Sequence, residues 1–131
     1  MKIHPKNKLD RLLADVQKDS DVIAVFLFGS RALGQQQPGS DMDVCLALFP
    51  GTYSARELFQ KRLSYLKDHP LDIQIFQQLP LYIRKRVLKE GQILYCRNED
   101  RLYELAFRHI REWADFEHIY REYLEETARA G

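Results

Sequence analysis

"FLFGSRALGQQQPGSDMDVCLAL", Phe26 to Leu48, runs apolar, then small and polar, then apolar again. The bulky run Val22–Phe28 reads as a strand buried on both faces, and Asp41–Leu48 reads as a second strand. Between them Gly29-Ser30 turns the chain, and a polar loop carrying Pro38-Gly39 follows. Asp41 and Asp43 stand at the entrance of the second strand, where charge is costly. Strand side chains alternate, so Asp41 and Asp43 share one face while Met42, Val44, Leu46 and Leu48 share the other.

Working outward, Leu9, Leu12, Leu13 and Val16 recur at helical spacing within Lys8–Lys18, and Asp19-Ser20-Asp21 ends that helix. The second strand stops at Pro50-Gly51. Ser54, with Glu57 three residues later, marks the start of a helix running to Asp68. Leu71–Phe76 is a third strand, with Leu71, Ile73 and Ile75 on one face and Asp72, Gln74 and Phe76 on the other. Pro80 opens a helix that closes at Glu90 before Gly91. Ile93–Tyr95 is a short edge strand, and Asp100–Ala128 a long helix. The order α-β-β-α-β-α-β-α predicts an α/β (α+β) fold, a small mixed sheet flanked by helices with a long C-terminal helix. With no repeat or linker, residues 1–131 are expected to form a single domain: a core over 1–98 and a helix over 99–128.

Twenty Lys+Arg against nineteen Asp+Glu give a net charge of +1, so global charge supports neither nucleic acid nor membrane as a partner. No apolar run approaches a membrane span, and the first residues lack an apolar leader-like core. Two cysteines make no disulfide framework, and Cys45 reads as a buried thiol. A cytoplasmic protein is expected.

If the second and third strands are neighbours in register, Asp72 lies beside Asp41 and Asp43. Two unit charges ~4 Å apart repel by about 4 kcal/mol at an effective dielectric near 20, so such a cluster calls for a cation. Two or three hard carboxylates, with room for waters and phosphates, suit Mg²⁺. A lone D-x-D serves equally well as a turn cap. The Gly-Ser pair directly after a buried strand shifts the reading. Gly29 admits close backbone approach. N–H groups at the turn, with the Ser30 hydroxyl, make a phosphate seat. Arg31 adds a charge-assisted contact. There is no G-x-x-x-x-G-K-[ST] segment, which argues against a P-loop NTPase.

"GSRALG…SDMD…LDIQIF" resembles the signature of the polymerase-beta-like nucleotidyltransferases, and nearly the whole chain resembles the minimal nucleotidyltransferases (MNT) that pair with all-helical HEPN proteins. "LPLYIRKRVLKEGQILYCRNE" and the long helix with "EWADF" match the C-terminal half of that subfamily. The resemblance implies phosphate binding by Gly29 and Ser30, with Arg31 and Gly34 matching a basic residue and a second glycine. It implies two Mg²⁺ held by Asp41, Asp43 and Asp72, with Asp72 also the general base, and ATP as nucleotide donor. It further implies AMP transfer to a tyrosine hydroxyl of a HEPN ribonuclease toxin, which makes this chain the antitoxin. Transfer to a small-molecule hydroxyl, and a binding-only antitoxin, are the alternatives. No direct contact with nucleic acid is expected.

Three weaker features remain. "RKRVLK", Arg84–Lys89, is a basic helical turn, either a solvated face or a contact for phosphates or an acidic partner. His109 is expected as a satisfied core histidine. Arg111 and His118 share a helix face, where surface cover or partner contact is favoured over a nuclease role. At about 1.5 Å per residue the long helix spans roughly 43 Å, so one end should pass beyond the sheet. Its distal Phe116, Ile119, Tyr120, Tyr123 and Leu124 either fold back on the first helix or dock a partner helix or a second copy.

Overall fold

The computed structural model describes residues 5–29 and 43–130. Its elements are α1 (Pro5–Lys18), β1 (Val22–Phe28), β2 (Asp43–Leu48), α2 (Ala55–Asp68), β3 (Asp72–Ile75), α3 (Leu81–Glu90), β4 (Gln92–Cys96) and α4 (Glu99–Ala130). They form one four-stranded sheet in the order β3-β2-β1-β4. β1 is antiparallel to both β2 and β4, while β2 and β3 run parallel. A parallel pair needs a crossover, and α2 supplies it. The mixed sheet, the element order and the long last helix are those the sequence predicts.

Alternation along the strands divides the core into two layers. Val44, Leu46 and Leu48 of β2, with Ile73 and Ile75 of β3, pack beneath α1 and α2 through Leu12, Val16, Leu58 and Tyr65. Cys45 and Ala47 face the other way, onto Phe26, Phe76, Val87 and Leu105 beneath α3 and α4. Both sheet faces are covered, which is why β1 reads as a continuous apolar run. Its alternation slips once. A register shift between Val22 and Ala24 puts Ile23 and Ala24 in the same layer.

Local chemistry sets the element ends. Ser54 Oγ accepts from the Glu57 N–H at 3.1 Å and caps α2 as expected. Gly91 follows α3, but its φ is −68°, so no left-handed cap is involved; a Cβ there would press on the Val87 carbonyl. β3 is shorter than the run Leu71–Phe76, because the chain enters a 3₁₀ turn at Phe76–Gln78. The Gln77 side chain then extends the pairing. It accepts from Leu48 N–H at 3.2 Å and donates to Leu48 C=O at 2.9 Å. Arg97 donates to the carbonyls of Val16, Gln17, Asp19 and Val22 at 2.7–3.3 Å, tying the end of α1 to the start of β1.

α4 does not fold back on α1. Leu105 and His109 are buried and Trp113 is half-buried, but every described side chain from His118 to Arg129 is exposed. His109 lies in the core as expected, yet neither ring nitrogen has a hydrogen-bond partner among the described residues. Burial, and the Arg84 charge beside it, depress its pKa below 6.5. His118 pairs with Glu122 on the exposed surface. No helix among the described residues is long and apolar enough to cross a membrane.

Candidate active site

Three strand ends meet at one end of the sheet. Phe28, the last residue of β1, is paired with Asp43, the first of β2. Asp43 is paired in parallel register with Asp72, the first of β3. The topology brings them together: an antiparallel hairpin sets the end of β1 beside the start of β2, and a parallel crossover sets the start of β3 beside the start of β2. Gly29 therefore lies against Asp43, which lies beside Asp72.

Gly29 has φ +85°, in the left-handed region that side chains avoid. A Cβ built there would collide with Asp43 Oδ2. The glycine thus serves two needs, the turn itself and the close approach of a carboxylate to the backbone. Asp43 and Asp72 are both half-buried. Asp72 shares its face with Gln74, whose Nε2 donates to Asp72 Oδ1 at 3.1 Å. Sequence reading placed Gln74 on the acidic face but gave it no role; the signal was its two-residue spacing on the strand. Ser30, Arg31, Gly34 and Asp41 lie outside the described residues, so the structure brings together Gly29, Asp43 and Asp72 of the expected set.

Two carboxylates on adjacent parallel strands, one of them closely approached by the Gly29 backbone, form a hard-oxygen donor set compatible with Mg²⁺. Among the described residues no group of three His, Cys, Asp or Glu is placed to hold a metal ion. The described part thus contains two candidate carboxylates, Asp43 and Asp72.

A polymerase beta nucleotidyltransferase family model matches residues 8–100. The chain belongs to that family. The match spans β1, β2 and β3 and so contains the whole acidic end of the sheet. Among relatives of this nucleotidyltransferase, the Methanocaldococcus jannaschii protein named "Putative protein adenylyltransferase MJ1547" is 31% identical over 103 residues, 79% of each chain. Among solved structures, a chain of a toxin–antitoxin complex with AMP-PNP superposes with TM-score 0.65 at 19% identity, covering 95% of this chain and 98% of that one. A chain from the complex of tri-AMPylated Shewanella oneidensis HEPN toxin with MNT antitoxin gives 0.58 at 16%, covering 93% and 94%. At these identities the structures establish a shared fold over nearly the full length.

Proposed function

We propose that this nucleotidyltransferase transfers AMP from ATP to a tyrosine hydroxyl of a HEPN-type toxin partner and so neutralises it. The observation that carries the reading is the parallel pairing of Asp43 with Asp72 against Gly29. Backbone at Gly29, with Ser30 and Arg31 following, seats the triphosphate. Asp41, Asp43 and Asp72 would hold Mg²⁺, which when bound would neutralise charge on the attacking and leaving oxygens. Asp72 takes the proton of the acceptor hydroxyl, held in place by Gln74. The acceptor oxygen forms a bond to the α-phosphorus, the bond to the β-phosphate bridge breaks, and pyrophosphate leaves. The protein's share is positioning and charge compensation. The name of the relative and the assemblies in which its structural neighbours were solved support an acceptor that is itself a protein.

The test is transfer of label from [α-³²P]ATP to a co-expressed HEPN partner, with and without EDTA. The expected result is Mg²⁺-dependent labelling of one or more partner tyrosines. Labelling that survives Asp43→Asn with Asp72→Asn, or labelling of no protein acceptor, would overturn the reading.

A further inference from the structure

Helix α4 has two apolar surfaces of complementary charge, separated along its length. The distal one is the continuation, past Trp113, of the stripe that packs α4 on the core. Phe116, Tyr120, Tyr123 and Leu124 lie on it and are 47–61% exposed. The segment around it is acidic, with Asp115, Glu117, Glu122, Glu125 and Glu126 against Arg121 and Arg129. The proximal surface is a groove of about 370 Å³ between α3, β4 and α4, lined by Leu88, Ile93, Tyr103, Ala106 and Ile110. Its polar edge is basic, formed by Lys85 and Lys89 of the "RKRVLK" turn.

We propose that the chain forms an isologous dimer in which the distal α4 of each copy lies antiparallel in the proximal groove of the other. The spacing of residues supports this. About a two-fold axis at Trp113, Phe116 lies three residues out on one side and Ile110 three on the other. Tyr120 stands opposite Ala106 at seven residues, and Tyr123 opposite Tyr103 at ten. These are the three-, seven- and ten-residue offsets of an antiparallel helix seam. The small Ala106 leaves room for the Tyr120 ring. Charge selects this arrangement over distal-to-distal pairing, which would set two acidic segments side by side, whereas the groove offers Lys85 and Lys89. A two-fold makes each copy contribute one stripe and one groove, so both surfaces are covered at once.

Sedimentation equilibrium of the full chain, without any other protein, should give twice the 15.5 kDa chain mass. Ile110→Glu and Tyr120→Glu, one on each surface, should each weaken dimerisation by roughly tenfold or more. Both side chains are exposed, so circular dichroism and thermal melting should match the parent. In a Cys96→Ser background, Tyr103→Cys with Tyr123→Cys should form an oxidised cross-linked dimer, and Tyr123→Cys alone should form none. A monomer at all concentrations, assembly only with a different protein, or efficient cross-linking by Tyr123→Cys alone would overturn the proposal.

Discussion

Asp72 pairs with Asp43 in parallel register, two carboxylates at the entrance of neighbouring strands on the α3/α4 face of the sheet. Strands lie about 4.8 Å apart. Like charges at that spacing repel by roughly 3 kcal/mol at an effective dielectric near 20. Their meeting at the place where Gly29 brings the backbone close is the physical argument for a cation and phosphate site.

Asp43→Asn with Asp72→Asn should abolish nucleotide transfer while the chain stays folded. Labelled-ATP transfer and calorimetry check both halves. A large fall in melting temperature would mean that the carboxylates are structural.

Gly29→Ala tests the backbone. A non-glycine residue in the left-handed region costs about 1–2 kcal/mol, and here the new Cβ also meets the Asp43 carboxylate. Stability to urea should drop by at least that amount and activity should fall with it. An active variant of parental stability would show that the turn relaxes freely.

Arg97 offers a test away from the site. Its guanidinium donates to four carbonyls around the end of α1 and the start of β1. Hydrogen bonds from a charged group contribute ~1.5–3 kcal/mol. Arg97→Met should cost about 2–3 kcal/mol in denaturant melts, with transfer activity per folded molecule unchanged.

The sheet and the acidic end were legible in the sequence for one reason: period-two alternation places Asp43 and Asp72 on known faces, and the apolar runs name the strands. Ser54 and Glu57 likewise announce α2 through a local hydrogen bond. What was not legible depends on pairings remote in sequence. Arg97 meets α1 some 80 positions away, and Gln77 replaces a strand by bonding Leu48. The satisfied histidine expected at 109 failed because helical spacing reports burial, not hydrogen-bond partners. The same limit applied to the distal half of α4, where an apolar stripe reads alike whether it meets its own core or another molecule.

His109 yields a pH signature of its own. Both ring nitrogens are buried without hydrogen-bond partners among the described residues, and burial and Arg84 hold the pKa below 6.5. The groups that bear on it are Arg84 and Lys85 of α3, which oppose protonation, and Glu112 of α4, which favours it. The unfolded chain therefore binds this proton more readily than the folded one, and stability rises with pH through the window up to about 6.5. Below that window this part of the stability is lost. His109→Leu removes the titrating group and two buried unsatisfied nitrogens, each of which costs about 1–3 kcal/mol. The variant should be more stable at pH 5.5 and show a flatter dependence between pH 5.5 and 7 in urea melts. The Phe76 ring, edge-on to His109 at a centroid distance of 6.3 Å, keeps an apolar neighbour. Equal slopes for parent and variant across that range would show that His109 binds its proton alike in the folded and unfolded chain.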